Sequence, residues 1–173
     1  KDGSYSKQEF IDLQRMGLEY GVRIIPEIDI PAHSLAFAHY KPEIASRKYG
    51  MDHLDLYKKE TYQFVDSLLD EYLSGDNPVF IGDLHIGTDE YNKKEAEQYR
   101  YFTDRYLKFV EKYGKNVRMW GGLKWLPGKT PVKAEGVTVN AWSYDWVDPV
   151  VSLQDGYKLI NTCDTYLYIC LLY

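Results

Sequence analysis

Asp89 and Glu90 are adjacent carboxylates at the end of the stretch Val79-Phe-Ile-Gly-Asp-Leu-His-Ile-Gly-Thr-Asp-Glu-Tyr91. Phe80, Gly82, Leu84 and Ile86 share one phase of a two-residue alternation, and Asp83, His85, Gly87 and Asp89 share the other. That pattern predicts a strand with one apolar face and one polar face lining a site. Glu90 falls out of phase, so the chain must leave the strand at Asp89-Glu90 for both carboxylates to face one substrate. Such crowding of like charge raises the pKa of one member and suits it to donate a proton. Out of context, an Asp-Glu pair is more often a solvated strand-end turn.

A second stretch, Arg23-Ile-Ile-Pro-Glu-Ile-Asp29, places Glu27 and Asp29 in a phase opposite Ile24, Pro26 and Ile28, and Pro31-Ala-His33 follows it. Upstream, Ser6 and Glu9 form a capping-box pattern for a helix that Gly21 stops. Residues 31–59 show little periodicity and are expected to form a long irregular connection or lid. Glu60–Leu73 and Lys93–Tyr113 read as amphipathic helices, the second with an apolar stripe of Tyr101, Phe102, Tyr106, Phe109 and Val110. Val117–Trp120, Val137–Trp142 and Lys158–Asn161 read as further strands, with Asp148-Pro149 starting a short helix before the last. Helices alternating with strands whose polar groups gather at their C-terminal ends point to an α/β fold of the (β/α)8 TIM barrel type. About five strands are readable where the barrel has eight, so residues 1–173 are expected to be one domain forming an incomplete barrel.

His85-Ile-Gly-Thr-Asp89-Glu90 resembles the His-x-Gly-x-Asp-Glu signature of glycoside hydrolase family 20, the β-N-acetylhexosaminidases. Pro26-Glu-Ile-Asp-Ile-Pro-Ala-His33 is similar to that family's Pro-Glu-x-Asp-x-Pro-Gly-His segment, with Ala32 in place of the Gly. Met119-Trp-Gly-Gly, Val139-Asn-Ala-Trp142 and Gly156-Tyr-Lys-Leu-Ile-Asn161 resemble its later strands, so the ordered matches run over roughly residues 5–169. The resemblance implies exo-acting, retaining hydrolysis of terminal β-linked N-acetylglucosamine or N-acetylgalactosamine, in which the substrate's own acetamido group is the nucleophile. Glu90 would be the acid/base and Asp89 the group that orients the acetamido nucleophile. Trp120 and Trp142 would wall the sugar site, His33 would link Glu90 to an upstream Asp, and Asp29 and His85 would support them. Tyr168, with Tyr166 a rival by register, would hydrogen-bond the acetamido oxygen; the chain end after it departs from the family pattern over the last four residues, 170–173. The partner implied is an N-acetylhexosamine glycan, with no cofactor and no metal.

Two other hydrolase chemistries can be weighed against these residues. A metal-dependent barrel hydrolase could draw on His33, His85, Asp29 and Asp83, although no His-x-His or carboxylate-bridging signature accompanies them. A chitinase-like Asp-x-Asp-x-Glu series fails, because the alternate positions hold Asp83, His85, Gly87 and Asp89. A non-catalytic carbohydrate-binding or adhesion module is the alternative from another class, but a neutral sugar does not require two crowded carboxylates.

Net charge is −5 and charged residues make up 27% of the chain, so neither disorder nor a nucleic-acid surface is indicated. No apolar run of transmembrane length or signal peptide is readable, and no membrane partner is expected. Cys163 and Cys170 form no recognisable disulfide or metal framework. The 17 Tyr and 4 Trp suit core packing first and a sugar platform second.

Overall fold

A computed structural model of the chain describes residues 3–167; Tyr168, expected at the sugar site, lies outside the described residues. The elements in order are α1 (Lys7–Glu19), β1 (Glu27–Ile30), α2 (Leu35–Tyr40), β2 (Ala45–Ser46), β3 (Gly50–Leu54), α3 (Lys59–Leu73), β4 (Leu84–Gly87), α4 (Ala96–Glu111), β5 (Val117–Trp120), β6 (Val137–Ala141), α5 (Pro149–Gln154), β7 (Lys158–Asn161) and α6 (Asp164–Leu167). Local signals account for the helix starts. Ser6 Oγ accepts from the Glu9 amide while Glu9 Oε2 accepts from the Ser6 amide, and Asp148 accepts from the Val150 and Val151 amides ahead of α5.

β1, β4, β5, β6 and β7 form one sheet in that order, every neighbouring pair parallel. Along β5 and β6 burial alternates: Val117, Met119, Val137, Val139 and Ala141 are buried, whereas Arg118, Trp120, Thr138 and Asn140 are half-buried. The first set faces the core beneath α4, whose Tyr99, Phe102, Tyr106, Leu107 and Val110 are all fully buried. The second set lines what is the inner face of a barrel, where polar groups can meet. Tyr101 departs from its predicted stripe and is half exposed; Tyr99 takes the inward position instead.

Residues 31–59 are more ordered than their sequence suggests. They hold α2, a single 3-10 turn at Pro42–Ile44 and the antiparallel β2–β3 pair, set against α3 by the fully buried Ile44, Leu54 and Leu56. Strands of two and five residues are too short to show a period. The central strand is also shorter than its alternation implies, since β4 begins only at Leu84 and all four of its residues are buried. Among the described residues no helix is long and apolar enough to cross a membrane.

Candidate active site

The C-terminal ends of the five parallel strands deliver their side chains to one cleft of about 500 Å³, lined by Glu27, Asp29, His33, Asp89, Glu90, Trp120, Trp142 and Asp164. Polar groups at this end of a parallel sheet lie beyond the last interstrand hydrogen bonds, so they vary without disturbing the core.

Asp89 and Glu90 reach the cleft through a contorted turn. Gly87, Thr88 and Glu90 have φ of 69°, 75° and 46°, so the chain leaves β4 in left-handed backbone and brings two sequence neighbours to the same side. Thr88 is fully buried; its carbonyl accepts from the Tyr99 hydroxyl and its Oγ1 donates to the Trp120 carbonyl at 3.3 Å. His33 is also left-handed, with φ 51°, and these three are the only non-glycine residues with positive φ among the described residues. Strain of this kind persists where the surroundings over-determine it, and here it collects at one site. Ala32, which replaces the family's Gly, is buried and stays out of the left-handed region; His33, one residue on, carries that conformation.

His33 Nε2 lies 3.0 Å from Glu90 Oε2 and 3.4 Å from Asp89 Oδ2, so one imidazole nitrogen bridges both carboxylates. The carboxyl crowding that matters most runs between strands, not along the dipeptide. Asp29 is pushed up to about 8, first by burial and then by the charges of Asp89 and Glu27. Asp89 is also raised, chiefly by burial and against the attraction of His33, while the hydrogen bond between the two lowers Asp89 and raises Asp29. Asp29 is therefore the member of the pair that keeps a proton at neutral pH.

Trp120 Nε1 donates to Glu27 Oε1 at 2.6 Å, which orients the indole as a wall. Burial raises the Glu27 carboxyl, that hydrogen bond opposes the shift, and the Asp89 charge adds to it. Trp142 is fixed by an Nε1 hydrogen bond to the Gly121 carbonyl at 2.9 Å. His85 packs against Trp120 with ring centroids 4.8 Å apart, and its Nδ1 accepts from the Gly87 amide at 3.1 Å. Burial, then the Arg118 charge, hold His85 down to about 4, so it is neutral at pH 7 and its 3.4 Å approach to Glu27 is no ion pair. It stands beneath the cleft as a support.

Asp83, a member of the metal-ligand alternative, is at the opposite end of the sheet. It accepts from Arg118 Nη2 at 3.2 Å and Asn116 Nδ2 at 3.0 Å. A different trio, Asp29, His33 and Asp89, brings one ligand atom each to within 4.8 Å of one another. The proton retained by Asp29 works against its use as a ligand at neutral pH. Tyr166 is 74% exposed and its ring approaches Tyr144, not the cleft. Glu27 and Asp164 are lining residues that sequence reasoning passed over. The phase shared by Glu27 and Asp29 was the available signal for the first; Asp164, three residues past β7, had none.

Residues 1–100 match Glycosyl hydrolase family 20, catalytic domain. A Beta-hexosaminidase of Arthroderma benhamiae is 29% identical over 200 residues, covering 96% of this chain and 33% of that protein. Among solved structures, the GH20 beta-N-acetylhexosaminidase from Streptomyces coelicolor A3(2) superposes with TM-score 0.73 at 27% identity, covering 91% of this chain and 34% of that one. A mutant Streptomyces plicatus beta-hexosaminidase in complex with product (GlcNAc) gives TM-score 0.71 at 26% identity, with 91% and 33% covered. The chain thus spans about a third of the length of these relatives, and its parallel sheet with alternating helices is part of their α/β barrel.

Proposed function

Because the chain belongs to glycosyl hydrolase family 20, we propose that the protein is an exo-acting β-N-acetylhexosaminidase that releases terminal N-acetylglucosamine or N-acetylgalactosamine from β-linked glycans with retention. The observation that carries this reading is that Asp89 and Glu90, adjacent in the chain, face one Trp-walled cleft and share His33. Adjacent carboxylates cannot flank a sugar ring as acid and enzyme nucleophile, because the two groups of an ordinary retaining pair approach the anomeric carbon from opposite faces. They can serve a nucleophile that the substrate brings.

Glu90 then gives its proton to the glycosidic oxygen as the bond from that oxygen to the anomeric carbon breaks. The acetamido carbonyl oxygen forms the new bond to the anomeric carbon, leaving a cyclic oxazolinium ion. Asp89 accepts from the acetamido N–H and stabilises the positive charge that develops there. Asp29, protonated, hydrogen-bonds Asp89 and holds that carboxyl in position. Glu90, now a carboxylate, takes a proton from water, whose oxygen opens the ring at the anomeric carbon with net retention. Trp120 and Trp142 hold the sugar and exclude water from the competing direct attack.

The test is turnover by the full-length protein of an aryl N-acetylglucosaminide beside the matching glucoside, with a thiazoline analogue of the oxazolinium ion as inhibitor. Cleavage of the first only, strongly inhibited, is expected. Equal rates on both glycosides, or a trapped glycosyl adduct on Asp89 or Glu90, would overturn the mechanism.

A further inference from the structure

Tyr99, the fourth residue of α4, reaches from the helix into the turn that carries Asp89 and Glu90. It is fully buried, and its hydroxyl donates to the carbonyl of Thr88, itself fully buried. Thr88 lies one residue past β4, and the donor to its carbonyl comes from a side chain on a helix. That carbonyl belongs to the planar peptide between Thr88 and Asp89, so the direction in which it is held fixes ψ of Thr88 and φ of Asp89 together. Left-handed residues, Thr88 and Glu90, stand on either side of Asp89. Such backbone relaxes unless its surroundings hold it. Burial pushes the Tyr99 hydroxyl well above the ordinary phenol range, so it keeps its proton and remains a donor.

The surroundings are fitted to the hydroxyl as well as to the ring. Gly122, in the loop after β5, faces it: a Cβ there would lie 3.0 Å from Tyr99 Oη and 3.4 Å from the Thr88 carbonyl oxygen. The second glycine of Met119-Trp-Gly-Gly thus leaves room for this bond. On the far side of the two carboxylates, Tyr91 is buried, and its hydroxyl donates to the Leu54 carbonyl at 2.7 Å. The Tyr91 and Tyr99 rings are stacked, 6.2 Å apart at 24°. The Asp89-Glu90 segment is therefore anchored at both ends, through Thr88 by Tyr99 and directly by Tyr91.

Tyr106, on the same helix, shows what a tyrosine with a packing role looks like. It is equally buried, its hydroxyl is 3.1 Å from Asp66 Oδ1, and neither residue lines the cleft. At Tyr99 the hydroxyl adds to the packing of the ring a bond to the peptide that precedes Asp89. We propose that Tyr99 is a positioning residue: its hydroxyl holds the peptide between Thr88 and Asp89 in the orientation that sends both carboxylates to one side of the cleft, without touching substrate. The proposal rests on the hexosaminidase reading for the reaction that those carboxylates serve.

Two measurements on the full-length protein test it. In the first, kcat and KM for an aryl N-acetylglucosaminide are compared in Tyr99→Phe, which keeps the ring, and in Tyr106→Phe. Tyr99→Phe should lower kcat by about 10- to 100-fold while KM stays within about twofold, and the thiazoline analogue should bind more weakly by a factor similar to the loss in kcat. Tyr106→Phe should keep the wild-type kcat even where its thermal stability falls as far. An unchanged kcat in Tyr99→Phe, a loss carried by KM, or equal losses of kcat in the two variants would overturn the proposal. In the second, a crystal structure of Tyr99→Phe should show Glu90 displaced from its 3.0 Å contact with His33. An unmoved turn would overturn the proposal even where the wild type hydrolyses the substrate; a displaced turn in a protein without hexosaminidase activity would uphold Tyr99 as the holder of the turn while the catalytic reading fails. Should Tyr99→Phe not fold, Gly122→Ala, which keeps the hydroxyl but crowds it, takes its place in both measurements, with a smaller loss of kcat expected and a wild-type kcat overturning the proposal.

Discussion

Asp29 Oδ1 fills the space that a side chain on Gly87 would need: a Cβ there would lie 1.8 Å from that oxygen. The close approach lets β1 and β4, paired at Ile30 and Gly87, bring Asp29 against Asp89. Gly87→Ala must both move Asp29 and adopt φ of 69° with a side chain. A loss of about 2–4 kcal/mol in stability is expected, with activity falling further than stability because the shared proton is displaced. Chemical denaturation with parallel kinetics measures both, and a variant of wild-type stability and rate would show that the approach is not required.

Asp29 carries the pH prediction. Its folded pKa of about 8 lies above the ordinary 3.8, so it favours the folded state fully below about pH 4 and loses that contribution as pH rises toward 8. Asp29→Asn keeps the neutral form at every pH. Its stability should fall less between pH 5 and 8 than the wild type's, by roughly 1–3 kcal/mol after allowance for solvent screening. Thermal unfolding at the two pH values checks this; parallel profiles would place the proton on another group.

Asp89 and Glu90 should fail differently. Glu90→Gln should lose most activity toward natural glycosides, on the order of 10²–10⁴-fold, and much less toward an aryl glycoside whose departure needs little protonation. Asp89→Ala should slow both classes alike, because in the proposed mechanism it removes the carboxyl group that orients the acetamido nucleophile. Identical patterns in the two variants would contradict the division of roles.

Trp142 is tied to the loop after β5 through the Gly121 carbonyl and faces the cleft with its ring. Trp142→Ala should weaken binding of an N-acetylglucosaminide by about 1–3 kcal/mol and slow its turnover. Lowered thermal stability with unchanged kinetics would assign the ring to packing alone.

Much of this architecture is local and therefore legible in the chain. Ser6 with Glu9, Asp148 with Pro149, and the alternation of Val117 to Trp120 each announce an element from neighbouring residues. The motif residues Asp29, His33, Asp89, Glu90, Trp120 and Trp142 do converge on one cleft. What escaped depends on register and backbone sign. The partner that orients Trp120 is Glu27, 93 residues away. The raised carboxyls prove to be Glu27, Asp29 and Asp89, brought together only because β1 lies beside β4, and burial is the largest cause in each; the crowding anticipated within Asp89-Glu90 is a weaker one. Nothing in residue type marks Thr88 or Glu90 as left-handed.

The left-handed backbone at His33, Thr88 and Glu90 also sets apart what folding and chemistry ask of the same positions. Each such residue costs about 1 kcal/mol or more relative to one that is at ease there. A sequence optimised for thermostability alone would relieve the tension first at these three places, with Gly at 33, 88 and 90, and the sturdier product would lack the Glu90 carboxylate and the imidazole beside it. Any stabilisation campaign on this barrel should therefore hold these three residues fixed and seek its gains on the outward faces of the helices.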